Sequence, residues 1–221
     1  MSISWQQQHL FVPSAGSAVT VEPGCSVRIS RFPAANGIRE LLVRKGEDDK
    51  IGVTVKRVEG KILICGVVRR SPAYLAGLRY GDELLSLEDE PLLGKELDRV
   101  AELIRKNVRN SIKLRTKDRP GDRYVTIGRD VEKGYGFRFA HGEITFVRAN
   151  TSAQRQGLER KLQIIEVNEE VVVGMKDETI EAIICGKGDT VSLCVVPMKV
   201  YRQLFSRLSP IKHDAHPLVE M

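Results

Sequence analysis

The most informative segment of the sequence is Ser71-Pro72-Ala73-Tyr74-Leu75-Ala76-Gly77-Leu78, because a second version of it follows 80 residues later. That version is Thr151-Ser152-Ala153-Gln154-Arg155-Gln156-Gly157-Leu158. Under the same shift Leu84-Leu85-Ser86-Leu87 aligns with Ile164-Ile165-Glu166-Val167. Self-similarity at a fixed spacing indicates a duplicated structural unit. We therefore predict two copies of one domain, over residues 38–118 and 121–197, with almost no linker and a restricted relative orientation.

Both copies have the same predicted order of elements. A strand, a glycine-containing turn and two more strands precede a short helix, and a strand, a longer helix and a closing strand follow it. Ser71 and Thr151 are typical N-cap residues, while Gly77 and Gly157 stand where the short helix should end. The predicted class is α+β, mainly β, with two partly open β-barrels of five to six strands and two helices each.

The two ends of the chain differ in character from the repeats. Residues 1–37 contain Pro13, Pro23 and Pro33 without sustained periodicity, which predicts a mobile N-terminal tail. Residues 198–221 are predicted to form a C-terminal tail with a short helix. Four apolar residues recur there at helical spacing before Pro210, namely Val200, Leu204, Phe205 and Leu208.

Composition restricts the classes of function. The net charge of +6 favours acidic partners in general. The four cysteines form no C-x-x-C pair, and buried free thiols at Cys65 and Cys194 would suit a reducing, cytoplasmic compartment. The sequence shows neither a secretory signal nor an apolar run of about 18 residues, so we expect membrane contact to be peripheral.

Two four-residue segments carry a resemblance to a known family. Lys50-Ile51-Gly52-Val53 and Gly134-Tyr135-Gly136-Phe137 resemble the carboxylate-binding loop of PDZ domains, an apolar-Gly-apolar turn. Gly81-Asp82-Glu83-Leu84-Leu85 resembles the segment that follows the short helix in this family, although the second copy has Lys161-Leu162 in place of Gly-Asp. An apolar-Gly-apolar turn alone is often an ordinary β-turn. Its occurrence twice, each time in the same order of elements, favours the PDZ interpretation.

The order and spacing of further segments resemble the syntenin family of tandem PDZ adaptors. They are Gly37-Ile38-Arg39-Glu40, Asp118-Arg119-Pro120 and Gly174-Met175-Lys176-Asp177. The resemblance implies a non-enzymatic adaptor without cofactor that binds C-termini of membrane proteins, such as a syndecan-like tail, at the plasma or endosomal membrane. The N-terminal region departs from the family, because it contains no tyrosine and therefore no Leu-Tyr-Pro motif.

Peptide capture by this fold requires a strand edge and a nest of N–H groups. The edge adds the ligand as a further antiparallel strand, and a glycine turn presents N–H groups to the ligand's carboxylate. The predicted peptide-binding residues are Ile51, Gly52, Val53, Leu97, Ile104, Tyr135, Gly136, Phe137, Phe139, Asp177 and Ile184.

The first residue of the longer helix is expected to set specificity. In the family's register this is Leu97 in the first copy, which favours an apolar side chain at the ligand's third-from-last position. In the second copy it is Asp177, for which two interpretations stay open. The carboxylate could accept a hydrogen bond from a Tyr or Ser of the ligand, or it could cap the helix N-terminus.

Basic residues form a second candidate site. In syntenins, lysines around the grooves bind phosphatidylinositol bisphosphate, and the resemblance implies the same for this chain. The corresponding candidates are Lys45, Lys50, Arg99 and Lys176. Ala140 replaces a lysine that the family uses there. The alternative is a purely protein-binding scaffold whose basic residues are only solvated.

The end of the chain is itself a candidate ligand. Leu218-Val219-Glu220-Met221 has the apolar-x-apolar pattern that Leu97 should accept, so self-capture, head-to-tail association or an ordinary solvated tail are the alternatives. Catalytic and metal-binding signatures are not found in the sequence, and basic residues are interleaved with acidic ones rather than striped beside aromatics, which argues against nucleic acid.

Overall fold

The computed structural model describes residues 19–20, 26–30, 37–186, 188–208 and 219–221. The chain folds into two modules, each built on its own antiparallel sheet, which confirms the mainly β class and the partly open architecture. Neither sheet closes into a full barrel. Among the described residues, no helix has the length and apolar character needed to cross a bilayer.

The first module contains the strands that its alternating pattern predicts. Its elements are β3 (Ile38–Arg44), β4 (Val53–Val58), β5 (Lys61–Val67), α1 (Pro72–Leu75), β6 (Glu83–Leu87), β7 (Glu90–Pro91), α2 (Leu97–Lys106) and β8 (Ser111–Lys117). The sheet order is β3-β8-β6-β5-β4, so β4 lies on the opposite side of this order from β3.

The second module repeats this plan. Its elements are β9 (Arg123–Gly128), β10 (Phe137–Ala140), β11 (Glu143–Val147), α3 (Ser152–Arg155), β12 (Leu162–Val167), β13 (Glu170–Val171), α4 (Asp177–Cys185) and β14 (Thr190–Pro197). The order β10-β11-β12-β14-β9 leaves β10 as an edge strand. β10 is therefore the counterpart of β4.

The short helices begin and end as the sequence predicts. The Ser71 side chain accepts a hydrogen bond from the N–H of Tyr74, and the Thr151 side chain accepts one from the N–H of Gln154. Each helix is followed by a glycine with positive φ, +79° at Gly77 and +71° at Gly157, where a side chain would strain the backbone.

Part of the N-terminal region is a strand rather than a tail. The predicted mobile tail lies largely outside the described residues, but β1 (Val19–Thr20) and β2 (Ser26–Ser30) are described. β2 pairs antiparallel with β3, with Val27 opposite Val43 and Ser30 opposite Glu40. The alternation of Val and Ile with polar residues in β2 suits a strand. This alternation covers only a few residues between two prolines, so it does not stand out in the sequence.

A third hydrophobic cluster lies between the modules. Its fully buried members are Leu63, Cys65, Tyr80, Ile165, Val173, Cys194, Val196, Phe205 and Leu208. The first three come from the first module, and the last two from the segment that follows β14. Apolar burial shared in this way holds the two modules in one arrangement, as the short junction predicts.

The C-terminal helical segment belongs to this interface. It consists of α5 (Met198–Val200) and a π-helical turn (Tyr201–Phe205), and the Phe205 ring stacks on the Tyr80 ring with centroids 5.8 Å apart. The Tyr80 hydroxyl donates to the Leu208 carbonyl over 3.0 Å. The helix was predicted, but its role in joining the modules was not.

A buried arginine at the junction completes the interface. Arg119 is 4% exposed and donates to the Glu166 carboxylate over 2.6 Å and to the Tyr80 carbonyl over 2.8 Å. Burial opposes its charge, yet Glu166 nearby raises the pKa of Arg119 above its usual value. Cys65 and Cys194 are buried free thiols, as predicted.

Candidate functional site

Two glycine turns open the two candidate grooves. Gly52 and Gly136 have φ of +80° and +77°, a region that favours glycine. A Cβ built on Gly136 would lie 2.5 Å from Cβ and Oγ1 of Thr151, and one on Gly52 would collide with Ser71. The turns therefore pack directly on the N-caps of α1 and α3, and this packing fixes the N–H groups that follow them.

The first groove lies between β4 and α2. Ile51, Val53 and Leu97 are buried in the core cluster of the first module, and Ile104 packs against it from α2. Leu97 is the first residue of α2, as predicted. These residues form one apolar pocket beside the Gly52 turn.

This groove contains the end of the chain itself. The N–H groups of Gly52 and Val53 donate to the Met221 oxygen over 2.8 and 3.2 Å, and the Met221 N–H donates to the Val53 carbonyl over 2.8 Å. Met221 is 1% exposed and belongs to the same core cluster as Leu97. The Gly52 turn and the apolar pocket beside it thus contact Met221, the last residue of the given sequence.

The last residues form a strand, β15 (Val219–Glu220), that extends the sheet. It runs antiparallel to β4, with Val219 opposite Val55 and Glu220 opposite Thr54. The third-from-last residue of the sequence is Val219, and the preference of the Leu97 position for an apolar residue there stays a prediction. The last three residues are therefore paired with the first module and do not form an ordinary solvated tail.

The second groove has the same walls. Ile184 of α4 is 4% exposed, and Tyr135, Phe137 and Phe139 pack against the core of the second module. The Tyr135 hydroxyl donates to the Gly188 carbonyl over 2.7 Å, which ties the glycine turn to the end of α4. In the part of the chain that the structure describes, no strand pairs with the outer edge of β10.

Asp177 lies where the sequence places it, but its carboxylate has other partners than either interpretation expected. Its two oxygens accept from the backbone N–H groups of His141 and Gly142, over 2.6 and 2.9 Å, in the turn between β10 and β11. Lys176 is the N-cap residue of α4, and it makes no side-chain cap bond. Asp177 therefore fastens α4 to the β10–β11 turn.

Comparison with known proteins agrees with this geometry. Models of the PDZ domain match residues 63–117 and 125–196. Mouse syntenin-2 is 31% identical over 199 residues, which are 90% of this chain and 68% of that protein. The chain belongs to the syntenin family of tandem PDZ proteins.

The chain is also similar to other proteins. Human syntenin-1 is 33% identical over 187 residues, 85% of this chain, and the chain spans 63% of the length of that relative. The human amyloid-beta A4 precursor protein-binding family A member 1 is 24% identical over 189 residues, 81% of this chain and 22% of that protein. The relatives support a protein-binding scaffold built on PDZ domains.

The four basic residues predicted to bind lipid come from different elements of the two modules. Lys50 lies in the first glycine turn, Arg99 in α2 and Lys176 at the start of α4. Arg99 is paired with Glu90 and Glu102. Lys50, Arg99 and Lys176 remain candidates for contact with anionic lipid.

Lys45 has a different role from the one predicted. It is 7% exposed, and its ammonium donates to the Asn107 carbonyl over 2.9 Å and pairs with Asp49 over 3.0 Å. A buried ammonium that already has two partners is not available to a lipid headgroup. Lys45 instead braces the loop before Gly52 against the C-terminal end of α2.

Proposed function

We propose that this syntenin-family chain is a non-enzymatic adaptor that captures the free C-termini of other proteins in the groove of its second module. The ligand adds as an antiparallel strand to β10, its carboxylate binds the N–H groups of the Gly136 turn, and its last side chain enters the pocket of Tyr135, Phe137 and Ile184. The observation that carries this proposal is the first groove, where the corresponding turn, strand and helix hold a C-terminal residue.

The engagement of Asp177 bears on the class of peptide. Because both of its oxygens accept backbone N–H groups, turning the carboxylate toward a ligand hydroxyl would break hydrogen bonds that hold α4 to the β10–β11 turn. Without that hydrogen bond, a Ser or Tyr at the third-from-last position gains nothing over an apolar residue. We propose that the second groove selects C-termini of the apolar-x-apolar type, such as those of membrane proteins with syndecan-like tails.

A membrane setting forms the finer part of the proposal. Lys50, Arg99 and Lys176 would contact an anionic phosphoinositide surface at the cytoplasmic face of the plasma or endosomal membrane. Each basic residue near such a surface contributes about 1 kcal/mol, so the three together would give only weak residence. The alternative, a scaffold that binds proteins alone, predicts that phosphoinositide has no effect.

Peptide capture is tested with a labelled peptide that ends in an acid-Φ-x-Φ sequence. The full chain should bind the free acid and not the amidated peptide. Gly136→Val should abolish binding because the added side chain meets Thr151, whereas the matched variant Gly52→Val should leave it unchanged. Equal binding of acid and amide, or binding that survives Gly136→Val in a folded protein, would refute capture at this groove.

The membrane part is tested separately with vesicles containing phosphatidylinositol bisphosphate. Neutral substitution of Lys50, Arg99 and Lys176 together should reduce co-sedimentation while leaving peptide binding intact. Equal sedimentation of the variant, or none by the unmodified chain, favours the scaffold that binds proteins alone. Self-association through the C-terminal residues stays a prediction.

A further inference from the structure

The first groove holds an occupant, whereas among the described residues no strand pairs with the outer edge of β10 in the second groove. Met221 is nearly fully buried there and makes three backbone hydrogen bonds with the glycine turn and β4. These are the contacts that an external C-terminus would need. An outside peptide can therefore enter the first groove only after residues 219–221 have left it.

The connection between the second module and this occupant is short and fixed at its start. Leu208 is buried between the modules, and its carbonyl accepts from the Tyr80 hydroxyl. Next to it, the Arg207 carbonyl accepts from Lys56 of β4 over 3.3 Å, and the Arg207 side chain pairs with Glu59. The chain is thus anchored against the far end of β4 before it reaches the groove.

Tether length and strand direction agree with capture within one molecule. Val219 pairs with Val55, the residue that precedes Lys56 in β4. Both anchors therefore lie on neighbouring residues of one strand, and a segment of ten residues can extend to about 35 Å, far more than this gap requires. β15 also runs antiparallel to β4, so the chain arrives from the Arg207 end.

We infer that the C-terminal residues of this chain are an intramolecular ligand that closes the first groove to other C-termini while the second groove stays open. The inference rests on the proposed function, since it assigns the first groove the same chemistry. A ligand joined to its site by a short segment of the same chain has an effective concentration of about 1 mM. It lowers the affinity of an outside peptide tenfold or more whenever the untethered tail binds more tightly than about 0.1 mM.

The test uses the chain with Gly136→Val, so that only the first groove can report. A labelled peptide with the sequence of residues 214–221 is titrated into three proteins: this background, the same chain without residues 219–221, and the same chain with Met221→Asp. Deletion and substitution should each raise the peptide affinity at least tenfold, because an Asp side chain cannot fill the apolar pocket. The matched change Leu93→Asp, at a residue 75% exposed, should leave it unchanged.

Each result bears on the inference. Equal peptide affinity in all these proteins would overturn the inference, even if the unmodified chain binds external peptides through its second groove. A gain on deletion that disappears at low protein concentration, with a dimer in light scattering of the intact chain, would also overturn it in favour of exchange between copies. If the chain with Gly136 intact but without residues 219–221 binds no free C-terminus, the proposed function itself fails.

Discussion

Replacement of Arg119 by Met should destabilise the protein strongly, because the guanidinium joins both modules from a buried position. Its side chain is 1% exposed, and it pairs with Glu166, whose side chain is 10% exposed. Removing one member of a buried pair leaves an uncompensated charge and costs about 3–5 kcal/mol. Arg119→Met also leaves the Tyr80 carbonyl and the Tyr124 hydroxyl without this donor.

The double variant Arg119→Met with Glu166→Leu separates loss of pairing from loss of packing. Apolar residues of similar volume can replace a buried ion pair at little cost, so the double variant should recover about 2 kcal/mol or more relative to Arg119→Met alone. Urea unfolding followed by circular dichroism gives the free energies of unfolding. The exposed cross-module pair Arg69–Glu169 is the matched control, and Arg69→Met should cost less than about 1 kcal/mol.

The reasoning would be refuted if Arg119→Met cost no more than Arg69→Met. It would also be refuted if the costs of Arg119→Met and Glu166→Leu simply added in the double variant. Either result would mean that the charges at the junction are solvated in solution and do not hold the modules together.

Two further predictions concern carboxylates. Burial raises the pKa of Asp82 to about 6, above the value of about 3.9 for unfolded aspartate. At pH values between these two pKa values, Asp82 holds a proton in the native state but not in the unfolded state. Lowering the pH from about 7 to 5 should therefore raise the free energy of unfolding by about 1 kcal/mol relative to Asp82→Asn. A curve identical to that of Asp82→Asn in urea titrations would contradict this. Asp177→Ala should lower stability by about 1–2 kcal/mol by freeing the His141 and Gly142 N–H groups. It should leave the ratio of affinities for Tyr- and Val-containing peptides unchanged, and a change in that ratio would show that Asp177 recognises the ligand.

Local patterns were sufficient to predict the repeat, its mainly β class and the order of its elements. The caps Ser71 and Thr151 and the glycines that end the short helices act within a few residues, so they can be recognised without tertiary information. Gly52 and Gly136 have a backbone requirement that no other residue meets easily. Leu97 could be placed at the head of α2 because the resemblance to PDZ domains supplies the register, and α2 does begin there.

Features that depend on distant partners could not be predicted in this way. Asp177 has a helix-capping sequence context, and only the fold brings the His141 and Gly142 N–H groups to it. Lys45 appears as a surface lysine in the sequence, yet the α2 C-terminus covers it. Phe205 and Leu208 have a helical spacing that predicts an apolar face but not which module lies against it.

The central claim is capture of a free C-terminus by the second groove of the intact chain. The most direct measurement is the change in amide chemical shifts, by nuclear magnetic resonance, when a peptide with a free terminal carboxylate is added and then its amidated form. The account predicts that the Gly136 and Phe137 amides shift with the free acid alone, while the Gly52 and Val53 amides, bonded to Met221, do not. No shift at Gly136, or equal shifts with the amidated peptide, would contradict it.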